Sequence, residues 1–90
     1  MNDQILRAIR TKTSLTFSYS DKPRRVQPHA YGLSRKGEDL LRAYDPIEAT
    51  WKLFTVAKIT DLAPTAEGFY TAPGYVANDS AMSAIYEGVA

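Results

Sequence analysis

The sequence has no cysteine, and that absence removes three kinds of chemistry together. A disulfide framework, a thiolate metal site and a cysteine nucleophile are all excluded. Histidine is nearly as scarce. The single imidazole, His29, has no cluster of histidines and carboxylates near it in sequence, whereas a metal centre draws on three or four protein ligands. The five glycines are all isolated, so no loop has the spacing that cradles a phosphate. Long apolar runs are missing as well. Nothing approaches the roughly 18 residues of a membrane span, and Met1-Asn2-Asp3-Gln4 lacks the charged-then-apolar opening of a secretion signal. The expected location is therefore cytoplasmic, with no membrane partner.

What is present suffices for one domain of 90 residues, with 44% apolar and 11% aromatic side chains to build a core. The net charge of +1 hides an uneven distribution. Residues 1–60 hold all 11 lysines and arginines against six acids, a net +5. Residues 61–90 hold four acids, Asp61, Glu67, Asp79 and Glu87, and no lysine or arginine, a net −4. Three readings are open: a basic face attracts an anion, the acidic tail folds back over that face, or the charges are solvated surface unevenly spread.

Hydrophobic spacing gives the elements. Residues 3–12 read as a helix, capped by Asn2 or Asp3, with Ile5, Leu6 and Ile9 on one stripe. The period then falls to two. Leu15-Thr16-Phe17-Ser18-Tyr19 alternates apolar and hydroxyl side chains as a half-buried strand does. Ser20-Asp21-Lys22-Pro23 is a turn with proline setting φ. Arg24 to Ser34 is a second strand in which Pro28, lacking an N–H, marks an edge or a bend. Arg35-Lys36-Gly37 is a tight connection, and further strands follow at Leu40 to Tyr44, Trp51 to Val56 and Ile59 to Leu62, the last ended by Pro64. Five short strands at this spacing predict a mainly β domain, a small antiparallel barrel or sandwich over residues 14–62. Residues 65–78 read as loop. Residues 79–88 read as a C-terminal helix capped by Asp79 or Ser80, with Met82, Ile85, Tyr86 and Val89 on one stripe.

Catalytic chemistry finds little footing. Beside Pro28 and Tyr31, His29 reads as a structural polar residue, and Asp21, Asp39 and Asp45 read as turn residues bonding their own backbone. Glu38 and Asp39 are adjacent, and adjacent strand residues point to opposite faces. No enzyme is expected, and no cofactor or metal. The informative set is basic and aromatic. Of Arg24 and Arg25 at most one can point into a given face, and Lys52 falls at a strand end on the face of Phe54. Tyr19, Tyr31 and Tyr44 either wall the core or stack on a base, and Trp51 is expected to pack.

These residues together resemble the WYL domain family. Ile5-Leu6-Arg7-Ala8-Ile9 followed by Leu15-Thr16-Phe17-Ser18-Tyr19 looks like its opening helix and strand, and Arg25-Val26-Gln27-Pro28 like its Arg-Val-x-Pro element. Gly37 with Leu41-Arg42-Ala43-Tyr44-Asp45 is similar to its name-giving strand, and Trp51 through Ile59 to its closing motif. The tail from Pro73-Gly74-Tyr75 through Asp79 is similar to that of short, freestanding members. Two features depart from the pattern. The tripeptide reads Asp39-Leu40-Leu41, and Thr55 and Lys58 stand where arginines are usual, replacing a planar two-pronged donor by, at best, a point charge.

The resemblance implies a five-stranded Sm/SH3-like barrel behind an N-terminal helix. It also implies a regulatory sensor module in transcription regulation or defence, binding a nucleic acid or other anionic ligand in a basic, aromatic-lined groove. The groove residues it implies are Tyr19, Arg25, Arg42, Lys52 and Lys58. The implied partners are a single-stranded nucleic acid or nucleotide and a regulatory or defence protein. Four phosphates held by the four cations would give a slope of log K against log salt of about −2.8. The alternative is a protein-interaction or self-assembly module that forms a homo-oligomer through open strand edges.

Overall fold

The structure is a computed structural model that describes all residues, Met1–Ala90. Its elements in chain order are α1 (Asp3–Thr11), β1 (Thr13–Tyr19), β2 (Lys22–Leu33), β3 (Asp39–Asp45), β4 (Thr50–Thr55), a 3-10 turn (Val56–Lys58), β5 (Thr60–Gly68) and β6 (Ala84–Gly88). The helix starts where Asn2 Oδ1 accepts the Ile5 N–H at 3.1 Å. It stops at Lys12, which turns left-handed at φ 50°. Its buried face is Ile5, Ala8 and Ile9.

All strand pairings are antiparallel, in the order β4-β3-β2-β1-β5, with β6 added to β2. The long strand β2 organises the rest. Its first half pairs with β1, and its second half lies between β3 and β6. A register shift between Pro28 and Ala30 marks a bulge, the bend expected of a proline with no ladder donor. Across that bulge Val26 and Tyr31 both enter the main core, while Ala30 joins a separate cluster. The main core lies between α1 and one face of the sheet, around Ile5, Ile9, Leu15, Phe17, Leu41 and Phe54. A smaller cluster of Ala30, Leu40 and Met82, flanked by Tyr75 and Ala81, lies near the irregular segment 69–83.

Several expectations need correction. The sheet has six strands, not five, and its end strands β4 and β5 do not pair with each other, so it is not closed. The turn after Tyr19 is Ser20-Asp21, both at positive φ (52° and 59°), with Tyr19 opposite Lys22. A two-residue hairpin of this hand needs positive φ, which proline cannot adopt, so Pro23 already sits inside β2. Strand β5 runs through Pro64 to Gly68 because it is an end strand with one edge unpaired. Finally, there is no C-terminal helix. Residues 84–88 form β6 instead.

The reason for β6 is long-range. Beyond the end of β1, the edge of β2 is free, and Ile85, Tyr86 and Val89 have side chains suited to a strand. Gly32 lets the new strand approach: a Cβ there would lie 2.3 Å from the Ala84 carbonyl oxygen. The apolar stripe is thereby divided, with Tyr86 and Val89 on the main core and Met82 in the smaller cluster. Asp79 still behaves like a cap. Its carboxylate accepts the Ala81 N–H at 3.0 Å, but it closes a turn. Asp39 departs from its expected turn role as well. It accepts hydrogen bonds from the hydroxyls of Tyr31 (3.3 Å) and Tyr86 (2.8 Å), joining β3, β2 and β6. Burial pushes the Tyr31 phenol above its ordinary pKa, and the hydrogen bond to Asp39 does the same at Tyr86.

Candidate functional site

Register decides which side chains meet on the outer face of the sheet. Arg42 lies opposite Leu53 and Tyr44 opposite Trp51, so these four share one face, while Leu41, Ala43 and Phe54 turn to the core. Segment 69–83 lies over that outer face and is fastened at several points. The Trp51 indole N–H donates to the Pro73 carbonyl at 3.1 Å. Arg35 donates to the Ser80 carbonyl at 3.4 Å, and the Ser83 N–H to that of Leu33 at 2.7 Å. Gly74 adopts φ +84°, and a Cβ there would sit 3.3 Å from the indole nitrogen of Trp51.

His29 is the inner fastening. Its side chain is fully buried against Trp51, Phe69 and Tyr75, with ring centroids at 4.8, 5.0 and 5.5 Å. Nε2 accepts the Ala72 N–H at 2.9 Å, which requires the proton on Nδ1, and that proton is donated to the Gln27 carbonyl at 2.8 Å. Both nitrogens are satisfied in the neutral form, and burial pushes the imidazole pKa below its ordinary value. No group of three or more histidines and carboxylates lies together where a metal ion could be held.

Between the segment and the sheet lies a cavity of about 290 Å³ lined by Arg42, Trp51, Gly74, Tyr75, Val76, Asn78, Asp79 and Ser80. Arg42 grips Asp79 with two hydrogen bonds, from Nε to Oδ2 at 2.7 Å and from Nη2 to Oδ1 at 3.2 Å. The Asp79 side chain is only 8% exposed and that of Arg42 26%, so the pair is largely withdrawn from water. The hydrogen bond from Arg42 holds the Asp79 carboxyl below the usual carboxylate range.

The five residues implied by the resemblance are dispersed. Tyr19 is half-buried, its ring edge-on to Phe54 at 4.9 Å and its hydroxyl accepting the Thr55 N–H. Arg25 is exposed and 3.2 Å from Glu67 of β5, whereas Arg24 turns to the other face, over the rings of Tyr19 and Phe54. Lys52 is not at a strand end as expected but is the third residue of β4, on the Phe54 face, 2.9 Å from Glu48 and 3.8 Å from Asp45. Lys58 ends the 3-10 turn, exposed. None of the four main cavities is lined by more than one of the five.

The charge asymmetry resolves into contacts within the chain. Glu67, Asp79 and Glu87 of the acidic tail pair with Arg25, Arg42 and Arg10 respectively. Of the cavity-lining side chains, Arg42 alone is implied as a ligand contact by the resemblance. Asp79 reads in sequence as a cap and Trp51 as a packing residue. Tyr75 and Asn78 lie in the Pro73 to Asp79 stretch that resembles the tail of short members, a signal that marks the segment and assigns neither residue a role. No family model, curated protein or solved structure matches the chain.

Proposed function

We propose that the chain is a non-catalytic binding module, similar in role to WYL regulatory domains, which takes a nucleotide or one base of a single strand in the Arg42–Trp51–Tyr75 cavity. One observation carries this reading: Arg42 is held in place by Asp79 in a cavity that Trp51 and Tyr75 also line, while its Nη1 makes no hydrogen bond within the chain. A guanidinium already fixed in orientation loses little freedom when it binds. Stacking on an aromatic side chain contributes about 1–3 kcal/mol per base. The volume of about 290 Å³ lies at the lower end of ligand sites, which start at roughly 300 Å³. It suits one base-sized group. With a single cation at the site, the salt slope is no steeper than about −0.7. The likeness to an Sm/SH3-like barrel, here as a six-stranded antiparallel sheet left open between β4 and β5, belongs to the same proposal.

Trp51 is the only tryptophan, so its emission reports on the cavity wall. Mononucleotides and short single strands are expected to change that emission saturably. Val76→Phe, which fills the cavity from an exposed position, is expected to abolish the change. An identical titration in parent and variant would place binding elsewhere.

A second reading, self-assembly, is favoured by the unpaired outer edges of β4 and β5 and by the exposed Ile47 and Leu53 beside the first. Light scattering separates the two. An apolar oligomer persists at about 0.5 M salt, where charge attraction is screened within a few ångströms.

A further inference from the structure

The charges lining the cavity cancel. Arg42 and Asp79 are its only charged residues, and they are bonded to each other at 2.7 and 3.2 Å. An anion entering beside this pair meets a positive and a negative charge at similar distances, so attraction and repulsion nearly offset each other. It would also lose its hydration without gaining a counter-charge. An uncharged group has neither difficulty. It meets the side chains of Trp51 and Tyr75 and can use donors and acceptors that nothing else occupies. Arg42 Nη1, the Asn78 amide and the Ser80 hydroxyl form no hydrogen bond within the fold.

We propose that the cavity takes the uncharged, planar, hydrogen-bonding part of the ligand, a nucleobase-like heterocycle, and leaves any phosphate outside. The inference rests on the reading that this cavity is the ligand site. Arg42 then serves as a donor to a ring carbonyl or ring nitrogen and not as a phosphate grip. Asp79 sets that preference by neutralising it. The ring must fit among Trp51, Tyr75 and the 73–80 backbone, which leaves no room for a second base.

The test is calorimetric titration of the full chain with the four common nucleosides, their monophosphates and inorganic phosphate, at about 50 and about 300 mM salt. At least one nucleoside is expected to bind within about threefold of its monophosphate, with less than about a twofold change between the two salts, and inorganic phosphate is not expected to compete. Val76→Phe removes that binding. If the monophosphates and inorganic phosphate compete for one site and no nucleoside binds, phosphate occupies the cavity; the inference is then overturned while the binding reading stands. If none of the three classes binds, both fall.

Discussion

The ring of His29 receives the backbone N–H of Ala72 on Nε2 at 2.9 Å, and this bond between β2 and the 69–83 segment exists only while the imidazole is neutral. Protonation would set two donors against each other in a site with no water access.

Stability therefore has a defined pH dependence. The folded chain binds the His29 proton less tightly than the unfolded chain, whose pKa is 6.5, so the contribution is complete above that value. It is lost progressively as pH falls from there through the lower folded-state pKa. Asp79 acts in the same sense further down, complete above 3.8 and lost as pH falls through its lowered folded value. Urea denaturation at pH about 7.5 and about 5 is expected to give a lower midpoint at the acid end. His29→Phe is expected to remove most of that difference; an equal drop in the variant would assign it to other groups.

The Arg42–Asp79 pair gives a second prediction. Removing one member of a buried pair strands the other charge, which costs roughly 3–5 kcal/mol when burial is complete. Arg42 keeps 26% of its side chain exposed, so Asp79→Ala and Arg42→Ala are expected to fall below that range, at about 2–3 kcal/mol. Replacing both by leucine is expected to recover much of the loss. Chemical denaturation of the three variants measures this directly, and additive losses would mean that the two residues do not act as a pair.

Gly32→Ala is expected to dislodge β6. The added methyl would meet the Ala84 carbonyl oxygen at 2.3 Å and Met82 Sδ at 2.7 Å, and backbone on that side cannot yield without breaking the pairing. A loss of about 2 kcal/mol or more is expected, with faster amide exchange at residues 84–88. Wild-type protection there would show that the strand tolerates the shift.

The surface pairs behave differently. Arg25 and Glu67 are 45% and 61% exposed, and pairs of that kind contribute at most about 1 kcal/mol. Arg25→Ala is accordingly expected to leave the denaturation midpoint nearly unchanged.

Much of the fold is legible in the sequence where the signal is local. The Asn2 cap, the alternation through Leu15–Tyr19, the Gly37 turn and the bend at Pro28 each depend on the residue itself and its nearest neighbours. The tail was not legible in that way. Met82, Ile85, Tyr86 and Val89 satisfy a helical period, and nothing nearby forbids a helix. The strand wins because β2 offers an unpaired edge about 50 positions earlier and Gly32 removes the obstacle to it. The fold-back of the acidic tail was visible as a charge imbalance, but only as one of three readings. Which acid meets which arginine depends on register, and no local pattern encodes it.

The most direct measurement follows the side-chain N–H resonances of Trp51, Arg42 and Asn78 while the intact protein is titrated with a mononucleotide. These three are expected to shift together and saturate at one concentration, with the backbone amides of Arg25 and Lys58 unmoved. Shifts at Arg25 and Lys58 with Trp51, Arg42 and Asn78 unchanged would contradict a binding site beneath the 69–83 segment.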